Sequence, residues 1–335
     1  MASTHDDSMT DGAANSGGTR RGASTGRAVR VAAFGGPEAL QVEQVPIPQP
    51  VDDEVLVRVH AAGVNPVDGK TRSGEFPPVG EGDLPVILGR DLAGTIEAVG
   101  TRAHYMLSHG DKVFAFIDFD RGAQADYVVV KAIELCAIPD GIDMATAASI
   151  PLAAMTAWQG LFDHGGLEAG QRVLIHGGAG GVGQFAIQFA RWKGAEVVAT
   201  AGPDDQDLIR RLGADVAIDY KSQDFATIVQ DVDCVLDLVG GDTQQASWGV
   251  IRRNGILVST LAEPDADIAK AHGVRAAPRW LARPNAVQLG TIGDLVASGE
   301  VTVTVAATYP LAEVAAAQER LEQGHVGGKI VLTLV

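Results

Sequence analysis

Apolar and polar side chains alternate over short stretches between Ala28 and about Ile150. The segment Val55–His60 (VLVRVH) alternates as a strand with one buried face does. Clusters of Gly, Pro and Asp separate it from the further strand-like segments GTIEAVG, DKVFAFI and DYVVV. The pattern predicts a mainly β, barrel-like domain over residues 28–150.

After Pro151 the pattern changes to apolar strands that alternate with helical segments. The amphipathic helix PLAAMTAWQGLFDHG precedes the strand RVLIHGG, the helix GQFAIQFARWKG and the strand AEVVATA, and the later strands are VAIDY, VDCVLDLVG and GILVST. Apolar strands between helices form a parallel sheet that is covered on both faces. We predict a doubly wound α/β domain over residues 151–284. The strand-rich end, residues 285–335, is predicted to rejoin and complete the first domain.

Composition and charge narrow the classes of protein to consider. Of the 335 residues, 46% are hydrophobic, which is enough for a sizeable core, and the length favours two domains. The net charge of −16 argues against nucleic acid and anionic membrane surfaces as partners, because both need a basic face. No apolar run approaches the roughly 18–20 residues of a membrane span. We therefore expect neither nucleic acid nor a membrane as a partner.

The ends of the chain and its cysteines carry few signals. Residues 1–27 contain almost no large apolar side chain, so we predict a disordered tail. No apolar segment follows Arg20–Arg21, so we expect no export signal. Cys136 and Cys234 form no spacing motif, which excludes a disulfide framework and a four-cysteine zinc site. The expected location is the cytoplasm.

A glycine-rich segment carries the clearest chemistry. Residues 178–183 (GAGGVG) match G-x-G-x-x-G between an apolar strand and an amphipathic helix, the context of a Rossmann dinucleotide site. Gly178 is expected to allow the tight turn, Gly180 the close approach of the pyrophosphate, and Gly183 the packing of helix on strand. The predicted cofactor contacts in this segment are Gly178, Ala179, Gly180, Gly181, Val182 and Gly183.

The end of the next strand indicates which dinucleotide binds. NAD sites carry an acid there, about 20 residues past the first glycine, whereas this strand ends at Ala199–Gly202 without one. NADPH is therefore the predicted cofactor, although Asp204 and Asp205 follow closely and NADH is not excluded. Two good charge-assisted hydrogen bonds to a 2′-phosphate would give a preference of about 10²–10⁴. The candidate contacts are Thr200, Tyr220 and Lys221, with Arg210 and Arg211 as alternatives that a solvated helix face would also explain.

Several segments together resemble the zinc-free medium-chain dehydrogenases/reductases, and among them the quinone oxidoreductases. The resemblance spans nearly everything from Ala28 to Val335. It implies a GroES-like catalytic domain with an inserted Rossmann domain, and an oligomer built through the cofactor domains, for which we expect a homodimer. The segments that carry it are GVNPVDGKTRSG, LPVILGRDLAGTIEAVG, AASIPLAAMTAWQGL, RVLIHGGAGGVG, LGADVAIDY, VLDLVGGDT and LEQGHVGGKIVL.

Departures from the zinc enzymes of this superfamily bear on the chemistry. Asn65 stands where those enzymes have a cysteine, and Gly89-Arg90-Asp91 stands where they have Gly-His-Glu. Arginine stays protonated and cannot donate a lone pair to zinc. The cysteine-rich structural lobe is also missing. We predict no metal site.

By motif position the resemblance makes Asn65 the leading candidate to polarise the substrate oxygen; a buried amide that satisfies a loop is the alternative. Asp68 is predicted to orient a pocket partner and Lys70 to stabilise developing charge, although a turn acid and a solvated cation are the other readings. Relatives carry tyrosines in this loop, at the places where this chain has Lys70 and Phe76. A phenylalanine cannot donate a proton. The resemblance places Thr156 beside the nicotinamide, although a threonine on an apolar helix can also bond its own backbone. Lys329, from the terminal GGKIVL, is predicted as a cofactor contact, with an approach to the pocket as the alternative.

The predicted function is NADPH-dependent transfer of a hydride to a small quinone or α,β-unsaturated carbonyl. The cofactor supplies the reactivity, and the protein supplies orientation and hydrogen-bond donors. One alternative is an enoyl or 2-alkenal reductase in a biosynthetic pathway. The other is a protein that binds NADPH without redox activity.

Overall fold

The computed structural model describes residues 24–103, 105 and 107–334. The tail predicted over residues 1–27 lies, as far as residue 23, outside the described residues. For residues 25–27 the prediction of disorder is wrong, because the first strand begins at Thr25. Polar contacts order these residues where apolar burial is lacking: Arg27 donates to the Asp126 carboxylate at 2.8 Å and to the Leu334 carbonyl at 2.6 Å.

The first part of the chain forms two antiparallel sheets with few helices. One sheet has the strand order β2-β1-β4, and β3, β5, β6, β7 and β8 belong to the other. The strands are β1 (Thr25–Val31), β2 (Leu40–Pro46), β3 (Glu54–Val64), β4 (Val86–Ile87), β5 (Asp91–Val99), β6 (Lys112–Phe116), β7 (Tyr127–Lys131) and β8 (Cys136–Ala137). The helices are α1 (Pro66–Ser73) and α2 (Met144–Ser149), with 3₁₀ turns at Pro37–Ala39, Glu81–Asp83 and Ala132–Glu134.

The middle of the chain forms a six-stranded parallel sheet with helices on both faces. Its strand order is β11-β10-β9-β12-β13-β14, so the topology switches direction between β9 and β12. The strands are β9 (Arg172–His176), β10 (Glu196–Ala201), β11 (Val216–Asp219), β12 (Val232–Asp237), β13 (Ile251–Ser259) and β14 (Arg275–Ala276). The helices are α3 (Pro151–Trp158, continued by a π-helical turn, Gln159–His164), α4 (Gly181–Lys193), α5 (Gln206–Arg211), α6 (Phe225–Ile228), α7 (Gly241–Ser247) and α8 (Ala266–His272), with 3₁₀ turns at Pro203–Asp205 and Trp248–Val250.

The end of the chain adds two strands to the sheet that contains β3. Strand β16 pairs antiparallel with β3, Val331 opposite Gly63, and completes the order β15-β16-β3-β5-β6-β8 with β7 also on β3. This pairing brings Lys329 beside Val64 at the carboxyl end of β3. The elements are α9 (Ala286–Ala297), β15 (Val305–Pro310), a 3₁₀ turn (Leu311–Glu313), α10 (Val314–Glu322) and β16 (Lys329–Thr333).

Apolar packing continues from one domain into the other. Phe114 and Phe116 of β6 share a buried cluster with Ile150, at the end of the first domain, and with Met155 of α3, at the start of the second. A separate apolar cluster fills the first domain, and a third cluster packs on the six-stranded parallel sheet. The fold class predicted from the sequence, a GroES-like β-rich domain and a Rossmann domain with a parallel sheet, is confirmed. In the described part of the chain, no helix is both long and apolar enough to cross a bilayer.

Candidate active site

A cleft of ≈ 470 Å³ lies where the two domains meet. One wall consists of the end of β3 and the start of α1, and the opposite wall consists of the glycine-rich loop and the start of α4. Helix α3, the start of β16 and residues 280–282 close the remaining sides. The lining is mainly apolar. Its few polar side chains are Asn65, Lys70, Thr156, Thr260, Trp280 and Lys329.

The glycine-rich loop turns one residue earlier than the motif predicts. Gly177 has a φ of +75°, a conformation that side chains other than glycine rarely adopt, whereas Gly178 has no positive φ. The turn predicted at Gly178 is therefore made by Gly177. A Cβ at Gly178 would instead lie 3.1 Å from the Cβ of Ala199, and one at Gly183 would lie 2.2 Å from the Gly177 carbonyl oxygen. Both glycines let the loop and helix pack against the strand.

The first turn of α4 faces the cleft with its backbone amides. Gly180 caps the helix, and Gly180, Gly181, Val182 and Gly183 all line the cleft. Ala179 is not part of the lining, and its carbonyl accepts a hydrogen bond from Gln184 Nε2 at 2.8 Å. Amide groups at the start of a 13-residue helix favour an anion such as a pyrophosphate.

A buried histidine supports this loop from below. Ser247 gives its hydroxyl proton to the Thr243 carbonyl, so His176 Nε2 must donate to Ser247 Oγ at 3.0 Å. His176 Nδ1 then accepts from the Thr200 hydroxyl at 3.2 Å, and Thr200 Oγ1 accepts from the Gly177 amide at 3.3 Å. Thr200 thus holds the loop in place. Burial lowers the pKa of His176 to about 4.

We expect this histidine to make stability depend on pH. Its folded pKa lies below the unfolded value, so the stabilisation is complete above the unfolded pKa and is lost as the pH falls toward the folded one. Between roughly pH 7 and pH 5, the stability advantage of the wild type over His176→Phe should shrink by about 2 kcal/mol. Urea unfolding of both proteins at the two pH values measures it. An advantage that does not change with pH would contradict the neutral, buried state.

A second cleft, of ≈ 770 Å³, opens beside the first at the carboxyl ends of the parallel strands. Thr200, Tyr220 and Lys221 line it together, and the side chains of Tyr220 and Lys221 are exposed. Arg210 and Arg211 do not line it. They lie on the exposed face of α5, where Arg210 pairs with Asp207 at 3.0 Å. The structure therefore brings three of the five candidate contacts together and leaves the two arginines on a solvated face.

Asn65 follows β3 and is held by its neighbours on the first wall of the cleft. Its Nδ2 donates to Asp91 Oδ2 at 2.8 Å, and its Oδ1 accepts a short hydrogen bond from Lys329 Nζ. Its backbone amide donates to Asp68 at 2.8 Å. Because one of the two Nδ2 protons satisfies Asp91, the other can serve a substrate oxygen.

Asp68 lies behind this wall and not in it. Its carboxylate accepts from the amides of Asn65 and Gly89 and from Gln124 Nε2. Burial raises its pKa to about 6. Asp68 therefore does not line the cleft and touches no substrate; it holds the backbone of Asn65, the orienting position that the sequence predicts for it.

Asp91 and Lys329 form a buried pair behind and beside Asn65. Lys329 Nζ lies 3.9 Å from Asp91 Oδ2, and the Lys329 side chain is 7% exposed. The other Asp91 oxygen accepts from the Leu152 amide at 2.6 Å, which ties the pair to α3. Burial raises the pKa of Asp91 and lowers that of Lys329. Lys329, predicted as a cofactor contact, therefore lies beside Asn65 on the substrate side of the cleft.

The remaining predicted residues occupy simpler positions. Lys70 is exposed and lines the cleft from α1. Its neighbour on α1, Arg72, does not line the cleft and donates to Gln318 at 2.6 Å and to Glu322 at 2.9 Å. Thr156 lines the cleft, and its hydroxyl donates to the Leu152 carbonyl at 2.7 Å, so Thr156 can offer only acceptor lone pairs to a ligand.

An aromatic surface covers part of the cleft. The rings of Phe76 and Phe119 are 4.9 Å apart, and the Arg90 guanidinium lies 4.4 Å from the centre of the Phe119 ring. Arg90 also donates to the carbonyls of Asp118 and Arg121. Phe119 and Trp280 were not predicted, because both lie in irregular segments whose return to the cleft has no sequence signal. A flat apolar ring would fit against this surface.

Family models match both parts of the chain. A model of the alcohol dehydrogenase GroES-like domain covers residues 51–140, and a model described as zinc-binding dehydrogenase covers residues 212–332. Among the described residues, however, no three His, Cys, Asp or Glu side chains lie together as a metal site requires.

Several similar proteins are oxidoreductases by name. The mitochondrial NAD(P)H oxidoreductase RTN4IP1 of Danio rerio is 33% identical, the match covering 84% of this chain and 84% of the relative. The chloroplastic NADPH-dependent alkenal/one oxidoreductase of Arabidopsis thaliana is 33% identical over 89% of this chain and 77% of the relative. The structure of a quinone oxidoreductase from Coxiella burnetii has a TM-score of 0.86 and 33% identity, covering 93% of this chain and 100% of its own.

Proposed function

This chain belongs to the medium-chain dehydrogenase/reductase superfamily, among its quinone oxidoreductase-like members, and we propose that it is a zinc-independent, NADPH-dependent reductase of quinones or α,β-unsaturated carbonyls. One observation carries the proposal: the amide-rich start of α4 and the hydrogen-bonded Asn65 face each other across one mainly apolar cleft. Such a cleft binds a cofactor phosphate on one wall and orients a carbonyl on the other.

The residues present fit a dinucleotide. A Cβ at Gly180 would meet only the Gly177 carbonyl oxygen, at 3.3 Å, so space remains above the helix start for a phosphate group. When bound, NADPH supplies the hydride. The chain's own residues bind and orient: the α4 amides hold the pyrophosphate, and the remaining Asn65 N–H donates to the substrate oxygen.

The preference for NADPH is supported by the adenosine side of the site. Strand β10 ends without an acid, and the exposed Lys221 lines the adjoining cleft. An acid at the end of this strand would bind the ribose hydroxyls of NAD and repel a 2′-phosphate. The name of the Arabidopsis relative, NADPH-dependent, points the same way.

We expect Lys221→Ala to raise the Kd for NADPH about tenfold and to leave that for NADH unchanged, because an exposed lysine contributes one screened contact to the 2′-phosphate. Arg210→Ala is the matched control: it removes a cation that pairs with Asp207 outside the cleft. Fluorescence titration of the wild type and both variants with each cofactor measures the six dissociation constants. Equal weakening of NADPH and NADH binding by Lys221→Ala would contradict the assignment.

Zinc independence is supported by the groups at the positions that hold zinc in related enzymes. Arg90 offers only N–H donors, and its Nη1 donates to two backbone carbonyls. The Asn65 amide is engaged by Asp91 and Lys329. Neither of these two positions provides a cysteine or histidine side chain that could bind zinc. The proposed reaction therefore proceeds in the presence of a strong chelator.

The decisive assay measures NADPH oxidation, with chelator present, against para-benzoquinone, phenanthrenequinone and a series of alkenals and enones. We expect turnover with at least one class of acceptor and slower turnover with NADH. If the protein binds NADPH and oxidises it with none of these acceptors, a binding protein without redox activity is the correct function.

An alkenal or enone reductase is the second candidate, and a specific observation favours it. The Arabidopsis relative is named for alkenals and enones, and a Solanum lycopersicum relative is named 2-methylene-furan-3-one reductase. In this case turnover of alkenals should far exceed that of quinones. The homodimer and the cytoplasmic location stay predictions.

A further inference from the structure

We propose that Lys329 is the proton donor of this reductase. The inference rests on the proposed function, because it assigns a role within the same cleft. It answers a question that the hydride transfer leaves open, namely which side chain delivers the proton that the reduced substrate must gain.

The position of Lys329 supports this role. Its Nζ donates to Asn65 Oδ1 and lies 3.5 Å from the Val64 carbonyl oxygen, at the end of β3. Its side chain packs on the opposite wall, because a Cβ at Gly181 would lie 3.2 Å from Lys329 Cδ. Lys329 therefore lies where the cofactor wall and the Asn65 wall of the cleft meet.

No other side chain of the described cleft lining is as good a proton donor as Lys329. Phe76 and Phe119 have none to give, and the hydroxyl protons of Thr156 and Thr260 are directed at backbone carbonyls. The two lysines are the only titratable residues of that lining, and Lys70 is exposed to solvent on α1. Lys329 is the buried one.

The charged groups around Lys329 poise it for proton transfer. Asp91 at the start of β5 and Asp68 on α1 stabilise its charged form, and Arg90 balances their charge. Burial outweighs these contacts and lowers the pKa of the ammonium below its usual range. A general acid works best when its pKa lies close to the working pH.

The proposed reaction consists of a hydride transfer followed by a proton transfer. A hydride from the nicotinamide bonds to the β-carbon of an enone, the carbon–carbon π electrons shift, and an enolate forms on the substrate. The N–H bond of Lys329 breaks, and its proton bonds to the enolate. With a quinone, the proton bonds to an oxygen of the anion and gives the hydroquinone. The neutral amine then regains a proton from solvent before the next turnover.

Two variants separate a proton donor from a fixed charge. Lys329→Met removes charge and proton, whereas Lys329→Arg keeps the charge beside Asp91 but holds its protons at every relevant pH. We expect both to lower kcat by about 10²-fold, with the Kd for NADPH changed by less than about threefold. If the Met variant does not fold, the Arg variant alone decides. Lys193→Met, on the far end of α4, is the matched control and should keep wild-type kcat.

The pH profile and a direct titration add independent readouts. Wild-type kcat should fall as pH rises through the lowered pKa of Lys329, and both variants should lack this limb. Lysine side-chain NMR of the cofactor-free protein should show one resonance that titrates below the others and disappears in Lys329→Arg.

Four results would overturn the proposal. They are wild-type kcat in Lys329→Arg, a rise in the Kd for NADPH that accounts for the lost activity, an unchanged alkaline limb in both variants, and an NMR titration with no lysine below the ordinary range. Each leaves the reductase itself in place. A wild type that reduces no acceptor would overturn the proposed function as well.

Discussion

Replacing Gly180 with valine is expected to abolish measurable NADPH binding while the protein stays folded. The backbone at Gly180 is extended, with φ −71° and ψ 167°, so valine is compatible with it. A Cβ there meets one backbone oxygen at 3.3 Å, which a small shift relieves. The branched side chain then stands over the first turn of α4, where the pyrophosphate is expected.

The expected size follows from the contacts that the valine blocks. Losing two charge-assisted hydrogen bonds weakens binding by about 10²–10⁴-fold. Fluorescence titration and the thermal stabilisation by NADPH should both show the loss. Gly249→Val is the matched control, since a Cβ at this exposed glycine has no neighbour within 4 Å. Wild-type affinity in Gly180→Val would contradict the position of the phosphate site.

The second large effect is expected from Asn65→Asp. Aspartate has the same shape and still accepts from Lys329, but it lacks the Nδ2 group that donates to Asp91 at 2.8 Å. An ionised Asp at this position has no proton to donate, and a protonated one gives its proton to Asp91. No donor remains for the substrate oxygen in either state. Removing one such donor lowers kcat by about 10²–10³-fold.

Binding and turnover must be measured separately for this variant. We expect the Kd for NADPH to stay within about threefold of the wild type, because the phosphate and adenosine contacts lie on the other wall. Asn285→Asp makes the same change at the N-cap of α9, where aspartate caps equally well, and should leave kcat unaltered. An Asn65→Asp enzyme with wild-type kcat would show that the asparagine only satisfies its loop.

The cofactor half of the site could be predicted from the sequence because its parts are local. A strand, a glycine turn and a helix follow one another within residues 172–193, and each leaves a pattern in the chain. The turn was placed at Gly178 and not at Gly177 because several glycines stand side by side. Only the backbone angles show which of them bears the positive φ.

The substrate half is assembled from distant segments, and there the sequence was a weaker guide. Lys329 and Asn65 are 264 positions apart and meet because β16 pairs with β3. No pattern shows that the Asp68 carboxylate turns away to bond three neighbours, or that Phe119 returns to the cleft beside Phe76. The position of Asn65 in its motif identified it as a site residue, but its hydrogen-bond partners could be identified only from the folded structure.

The most direct test is transfer of label to a reduced acceptor from NADPH that carries deuterium at both C4 positions of the nicotinamide. An alkenal or enone serves as acceptor, in the presence of chelator, and the product is examined by mass spectrometry and NMR. We predict deuterium on the β-carbon of the product and a proton from solvent on the adjacent carbon. Bound NADPH with no label in any product would contradict the account.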